Sequence, residues 1–180
     1  MVLKEKICGK YIDLKSVCCD DASFIIDIRS NNNKTRFLHK IDADIKKQKE
    51  WIKNQIDREY DYYFVYKDKN GNNKGLASIY NIDIDNKNAE FGRWISNGNV
   101  FENLEAVILL FDFAFKNFDI DYIYLRMMQG NDYVSSFWKT FGAQHIGLVY
   151  EMDLNIDKWI VTKVDYFERI RGKSIKLLKY

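Results

Sequence analysis

The hydrophobic pattern of the first sixty residues predicts one strand followed by two helices. Residues 10–15 alternate apolar and polar positions, which is the period of a half-buried strand. From Ser16 the period becomes helical, and Asn residues at 31–33 are predicted to end this first helix. Its apolar face is formed by Val17, Phe24, Ile25 and Ile28. A second helix is predicted over residues 42–56, with isoleucines along one stripe and lysines on the opposite side.

The middle of the chain is typical of an antiparallel meander. Residues 61–67, 75–82 and 89–96 are rich in aromatic and β-branched side chains, and turns rich in Asn, Asp and Gly separate them. Residues 100–118 then follow a helical pattern that is apolar almost all round. Such a helix must be covered on several sides, so we expect it to pack against the sheet.

The last third of the chain alternates strands and one short helix. Strands are predicted at residues 122–127, 146–154 and 159–167, with a helix at 131–141 after the first of them. The order β-α-α-β-β-β-α-β-α-β-β contains no repeat or linker, so residues 1–180 are expected to form one α/β (α+β) domain. Its sheet is predicted to be mixed and mostly antiparallel, with six or seven strands and about four flanking helices.

Composition and charge exclude several classes of function. The net charge of +2 is too small to indicate a nucleic-acid partner, and the longest apolar run is too short to span a membrane. We interpret the basic residues near the C-terminus as a solvated tail. Cys8, Cys18 and Cys19 are odd in number and lack metal-ligand spacing. His39 and His145 are isolated and are interpreted as ordinary residues.

These observations predict a cytoplasmic protein. The N-terminus lacks the pattern of a signal peptide, and the cysteines suggest no disulfide framework. We expect no metal, no nucleic-acid or membrane partner, and either a monomer or a homodimer.

Three stretches resemble the GCN5-related N-acyltransferases, and within them the branch of ribosomal-protein, aminoglycoside and nucleotide-sugar N-acetyltransferases. The first comprises Arg29, residues 36–38 and the Gln-x-x-Trp sequence within residues 48–52. The second is residues 89–95, which resemble the central strand that admits the cofactor. The third is residues 131–142, with Asn first, an aromatic residue seven positions later and Gly eleven positions later.

The resemblance implies the acyl-CoA N-acyltransferase fold, acetyl-CoA as cosubstrate and a small-molecule amine acceptor. In this family the pantetheine arm lies between two central strands and pairs with free backbone groups like an added strand. The cofactor-binding positions implied here are Arg93, Trp94, Ile95, Ser96, Asn97, Gly98, Asn99, Phe101 and Asn131. The alternative is that residues 90–96 are simply an interior strand.

The sequence departs from the family at the pyrophosphate loop. The two family glycines correspond to Phe101 and Asn103, and Glu102 and Glu105 in the same turn would repel a pyrophosphate. Asn99 and Glu102 have the spacing of a capping box, which predicts that the helix starts at residue 100. Either the cofactor binds in a modified loop, or the fold has lost acetyl-CoA.

The catalytic positions also differ from the family pattern. Many relatives place a tyrosine where this chain has Trp138, whose indole has no proton to donate at a useful pKa and which is alternatively a core residue. Tyr133 and Tyr124 are the possible substitutes for the missing acid. The acceptor amine must lose a proton before it attacks, and Glu90 is the candidate base, although it can also be a surface carboxylate.

The remaining candidates concern the acceptor. Arg29 matches an arginine of the branch and can bind an anionic acceptor or form a structural ion pair, and Phe37 is the second substrate-binding candidate. The leading hypothesis is an acetyl-CoA-dependent N-acetyltransferase acting on an amino sugar or nucleotide-linked amino sugar. The alternatives are acetylation of a protein N-terminus and a degenerate, non-catalytic binding module.

Overall fold

One continuous sheet forms the centre of the computed structural model, which describes residues 1–30, 35–38, 41–151 and 153–180. Its strands, numbered β1 to β8 along the chain, are Ile7–Cys8, Ile12–Ser16, Tyr62–Asp68, Asn73–Asp83, Asn88–Ser96, Tyr122–Met128, Gln144–Glu151 and Leu154–Thr162. They lie in the order β1-β2-β3-β4-β5-β6-β8-β7. Every neighbouring pair is antiparallel except β5 with β6, which are parallel.

Helices cover both faces of this sheet. Numbered α1 to α6 along the chain, they are Ala22–Arg29, Ile45–Ile56, Val100–Asn117, Asp132–Phe141, Lys163–Asp165 and Arg171–Leu177. A 3₁₀ turn at Cys19–Asp21 leads into α1, and a π-helical turn at Tyr166–Ile170 joins α5 to α6. Across the described ranges, every helix is too short or too polar to cross a membrane.

The alternation of side chains along the strands separates two hydrophobic cores. On β3, Phe64 points to the core under α3, whereas Tyr63 points to the core under α1 and α2. The predicted all-round burial of the long helix is confirmed, since most of α3 is buried. The sequence therefore positions two helical layers, with the sheet between them.

The predicted strands near the C-terminus were wrong in their boundaries. The turn between β7 and β8 includes Asp153, whose left-handed φ of 62° reverses the chain earlier than predicted. The side chain of Thr162 then accepts a hydrogen bond from the Asp165 N–H and starts a helix, so residues 163–167 do not continue the strand. The eighth strand is β1, which the pattern did not indicate. The predicted helix break at 31–33 and His39 lie outside the described residues.

The C-terminal segment docks on the domain, so its interpretation as a solvated tail was wrong for Arg171, although Arg169, Lys173, Lys176 and Lys179 are exposed. The Arg171 guanidinium binds the Asp112 carboxylate of α3 through two hydrogen bonds of 2.8 Å each. The Tyr166 hydroxyl donates to the same carboxylate at 2.7 Å, and Leu178 is fully buried. The last helix is thus held to α3 by a charged cluster and by apolar contacts.

Glu105 of α3 fastens the N-terminal loop to the same helix. Its buried carboxylate accepts backbone N–H groups of Lys10, Tyr11 and Ile12 at 2.7–2.8 Å, and the Tyr180 hydroxyl also donates to it. At Gly9 a Cβ atom would lie 2.5 Å from this carboxylate, so only glycine fits there. Glu105 therefore does not face the loop where the sequence predicted phosphate repulsion.

We expect Asp112→Asn to lower the free energy of unfolding by about 2 kcal/mol near neutral pH, because charge-assisted hydrogen bonds are lost. Burial raises the pKa of Asp112, but hydrogen bonds from Arg171, Lys116 and Tyr166 outweigh it and hold the pKa below its usual value. Its stabilising effect is therefore present above the unfolded pKa of about 3.9 and is lost as pH falls through the folded pKa.

Thermal unfolding of both proteins at neutral pH and at about pH 3 checks this expectation. The variant should melt about 4–8 °C lower at neutral pH and approach the wild type in acid. Asp119→Asn is the control, because that carboxylate is 72% exposed. Equal melting temperatures of Asp112→Asn and wild type at neutral pH would contradict the anchoring role.

Candidate active site

The sheet opens between its two parallel strands. β5 and β6 pair from Asn88 opposite Tyr122 to Phe91 opposite Leu125. Beyond this point, in the described chain, residues 92–96 of β5 and 126–128 of β6 are not paired with each other. Each strand keeps its other neighbour, so the backbone groups that face the gap are left to bind something other than a strand of this sheet.

A bulge at Arg93 interrupts the regular register between β5 and its neighbour β4. Leu76 pairs with Ile95 and Ser78 with Gly92, so two residues of β5 lie opposite one residue of β4. Arg93 has a left-handed φ of 50°, which costs a non-glycine residue about 1–3 kcal/mol. Its guanidinium forms two hydrogen bonds to Asp61, one of them 2.9 Å, and lies 4.2 Å from the centroid of the Tyr80 ring. The contacts of the Arg93 side chain with Asp61 and Tyr80 therefore hold the bulge in place.

Glu90, the candidate base, lies on β5 just before the bulge. Its carboxylate is 2% exposed and accepts hydrogen bonds from the Tyr80 hydroxyl at 2.7 Å and the Asn81 amide at 3.0 Å. Arg126 of β6 donates from Nε at 3.0 Å and from Nη2 at 3.4 Å. A Cβ atom at Gly92 would lie 2.7 Å from the Tyr80 hydroxyl, so the glycine gives Tyr80 room to reach Glu90.

These contacts fill both oxygens of the Glu90 carboxylate. A carboxylate offers about four acceptor positions, and here four donor atoms face them. The longest contact is that of Arg126 Nη2, and Arg126 also binds Glu151 at 2.7 Å. An incoming ammonium group can thus replace this contact while Arg126 keeps two other carboxylate contacts.

A cavity of about 440 Å³ lies at the opening of the strands. Its walls include Glu90, Gly92, Met127, Met128, Leu154 and Ile156. The charged residues among its described walls are four arginines and two carboxylates: Arg29, Arg36, Arg93, Arg126, Glu90 and Glu151. The excess of positive charge favours an anionic ligand.

Both predicted acceptor-binding residues lie in the wall of this cavity. Arg29 is the last residue of α1, and Phe37 follows a short distance along the chain with the Arg36 guanidinium 4.4 Å from its ring centroid. Burial raises the pKa of the adjacent Tyr63 to about 12, although the Arg29 and Arg93 cations nearby lower it. Arg29 is therefore one of the cations that face a ligand entering from the α1 side.

The loop before α3 has its backbone N–H groups occupied by the protein itself. The predicted capping box is confirmed: Asn99 accepts from Phe101 and Glu102 N–H groups, and Glu102 accepts from the Asn99 N–H at 2.7 Å. The Gly98 N–H donates to the Ser96 hydroxyl at 2.7 Å, and the Asn97 N–H to the Lys74 carbonyl. A phosphate would have to replace side-chain acceptors of this loop.

The tyrosines proposed as acids occupy different environments. Tyr133, in the first turn of α4 after Asn131, is 77% exposed, whereas Tyr124 lies directly opposite Glu90 in the β5–β6 register. Burial and the neighbouring Glu90 raise the pKa of Tyr124 to about 12. Trp138 is 2% exposed with its ring centroid 5.2 Å from that of Phe91, which confirms its interpretation as a core residue.

Sequence reasoning missed three residues of this region. Arg126 and Tyr80 hold Glu90, and Lys74 lies beside the loop with its Nζ 3.8 Å from Glu102. The only signal for Arg126 was a charged residue inside an apolar strand. His145, interpreted as ordinary, lies 2.9 Å from Asp157 and packs on Trp159.

A family model and several solved structures are similar to this chain. Residues 12–144 match a family model described as an acetyltransferase (GNAT) domain. Similar solved structures include apo FdhC, a nucleotide-linked sugar GNAT, with 28% identity and a TM-score of 0.80 over 96% of this chain and 98% of that one. No curated protein matches the sequence.

Two further structures share the fold at lower identity. Spermidine N-acetyltransferase from Vibrio cholerae, in complex with CoA and spermine, has 18% identity and a TM-score of 0.78 over 89% of this chain and 100% of that one. A GCN5-related N-acetyltransferase from Brucella melitensis has 14% identity and a TM-score of 0.83 over 98% and 86%.

We expect Arg93→Met to destabilise the protein by about 3 kcal/mol, because it leaves the buried Asp61 carboxylate without its cation. Urea unfolding of the variant measures this loss. Arg58→Met provides the control, since Arg58 is exposed. An Arg93→Met protein as stable as the control would show that the bulge does not depend on this ion pair.

Proposed function

Because the chain belongs to the acetyltransferase (GNAT) family, we propose that it transfers an acetyl group from acetyl-CoA to the amine of a small acceptor. The acceptor class is an amino sugar or a nucleotide-linked amino sugar. The observation that carries this proposal is the opening between β5 and β6, where an arginine-rich cavity meets unpaired strand backbone.

The pantetheine arm is proposed to lie along residues 93–96 of β5, where it adds to the open edge like a strand. Arg93, Trp94, Ile95 and Ser96 would offer backbone groups rather than side chains. The pyrophosphate would lie near residues 97–101. At Gly98 and Asn99 the N–H groups are held by side chains, so a phosphate can replace these acceptors without breaking backbone hydrogen bonds.

The acceptor ammonium group must lose one proton before it attacks and a second after the C–N bond forms. The ammonium group would bind at the Glu90 oxygen that Arg126 Nη2 contacts at 3.4 Å and give its proton to this carboxylate, directly or through water. The free amine then attacks the thioester carbon, so that a C–N bond forms and the C–S bond breaks. A thiol pKa of about 8.5 makes the thiolate a good leaving group. Tyr124 or Tyr133 is the proposed proton source for the thiolate, and the second proton of the nitrogen restores that tyrosine.

The charge of the cavity supports an anionic acceptor. Arg126 forms ion pairs with Glu90 and Glu151, and Arg93 forms one with Asp61. The cavity wall also carries Arg29 and Arg36, so its described lining has four arginines against two carboxylates. The positive charge of the cavity wall would repel a polycation such as spermidine. It would add little to the binding of a protein N-terminus, which carries no phosphate. The negative phosphates of a nucleotide-linked sugar would be attracted by this positive charge.

A non-catalytic binding module is the second candidate function. The observation that favours it is the occupied loop before α3, where the protein's own side chains satisfy the N–H groups of Gly98 and Asn99. In that case acetyl-CoA would have no phosphate site on α3.

Calorimetric titration with acetyl-CoA separates the two candidates. Under the acetyltransferase proposal, acetyl-CoA binds and Glu102→Gln tightens binding by about twofold to fivefold, because a negative charge beside the phosphates is removed. Glu50→Gln, on the exposed side of α2, is the matched control. Absence of heat and of any thermal shift at millimolar acetyl-CoA would favour the binding module.

The Glu90→Gln variant tests the base. Turnover on an amino-sugar acceptor found by screening should fall by about 10²–10⁴-fold, while the affinity for acetyl-CoA stays near that of the wild type. Part of the loss should return at high pH, where more acceptor is already unprotonated. The control is Glu151→Gln, which removes the other carboxylate on Arg126. Full activity of Glu90→Gln would rule out the base role.

A further inference from the structure

A second cavity adjoins the one at the strand opening. It has a volume of about 450 Å³ and lies between the sheet and helices α1 and α2. Arg29, Tyr80 and Arg93 line both cavities, so the two cavities are adjacent and share these side chains as a common wall. A ligand with one end at Glu90 that passes these side chains would reach the space under α2.

The walls of this second cavity combine flat apolar surfaces with a buried amide. Trp51 and Tyr63 supply aromatic surfaces, with ring centroids 5.7 Å apart and planes near perpendicular, and Ile25 adds an aliphatic one. Gln48 is only 8% exposed and lines the cavity, and its side chain forms no hydrogen bond to the described residues. Its amide is therefore open to the cavity, where it can donate to and accept from a ligand.

We propose that this second cavity binds the nucleobase of a nucleotide-linked amino-sugar acceptor, an inference that rests on the proposed acetyltransferase function. A carboxamide pairs with the donor and acceptor edge of a base through two hydrogen bonds. An indole ring provides a stacking surface that any base can use. Gln48 and Trp51 supply these two contacts from adjacent turns of α2.

The charges at the junction fit the rest of such an acceptor. Arg29 lies where the two cavities meet, between the base end at Gln48 and the amine end at Glu90. The phosphates of a nucleotide-linked sugar occupy the same middle position, between base and sugar. An aromatic ligand without phosphates would place no anion beside this cation, and a free amino sugar would leave the second cavity empty.

Titration with nucleoside diphosphates tests the inference without any acetyl transfer. UDP, dTDP and ADP are each added to the protein with CoA present at saturation, so that the nucleotide part of CoA already occupies the cofactor site. At least one nucleotide should bind, and Gln48→Leu should weaken its affinity by about tenfold or more. Trp51→Leu should also weaken it, and Glu50→Gln on the exposed side of the same helix should not.

The melting temperature of Gln48→Leu distinguishes binding from a structural role. Leucine keeps the volume and removes the unpaired amide, so the variant should melt at or above the wild-type temperature. A drop in melting temperature together with loss of nucleotide binding would overturn the inference, as would nucleotide binding that Gln48→Leu leaves unchanged.

The acetyltransferase proposal is tested separately, by measuring the binding of CoA alone. CoA binding with no binding of any of the three nucleotides overturns the nucleobase site and leaves the acetyltransferase intact. Nucleotide binding that depends on Gln48, in a protein that does not bind CoA, supports the site and contradicts the acetyltransferase.

Discussion

The ion pair between Arg93 and Asp61 is the interaction on which the candidate site depends. It holds a non-glycine residue at a φ of 50°, in the middle of a strand, where the backbone alone would not stay. The bulge that results turns β5 away from β6 and ends their pairing after Phe91. Without that separation the central strands would close, and neither unpaired backbone nor cavity would exist between them.

Charge is organised around this opening in two different ways. The buried Glu90 carboxylate accepts hydrogen bonds from Arg126, Tyr80 and Asn81 and is fully satisfied. Arg29 and Arg36 instead add positive charge to the cavity wall. The hydrogen bonds fix the Glu90 carboxylate at a defined place, where it can receive an amine. The arginines of the cavity wall attract an anion. An acceptor that carries both an amine and phosphates fits both features.

Much of the fold could be predicted from sequence because it depends on local periodicity. The apolar stripe of α3 and the Asn99 and Glu102 capping box are set by neighbours a few residues apart, and both were predicted correctly. Trp138 lies on the apolar stripe that the sequence predicts for residues 131–141, and its side chain is buried as that position predicts. Local patterns of this kind do not depend on how distant segments meet.

The parts that were missed depend on partners far apart in the chain. Arg93 meets Asp61 across 32 positions, Arg126 meets Glu90 across 36, and Arg171 meets Asp112 across 59. Each pairing follows from strand register or helix docking, which periodicity does not encode. The basic C-terminal residues therefore resembled a solvated tail, although Arg171 is an anchor of the last helix.

A crystal structure of the protein grown with CoA tests the central claim most directly, because it shows what occupies the gap between β5 and β6. We predict the pantetheine arm along residues 93–96, with its sulfur on the side of Glu90 and its phosphates at residues 97–101. CoA bound elsewhere on the surface, or strands β5 and β6 paired along their whole length with the gap closed, would contradict it.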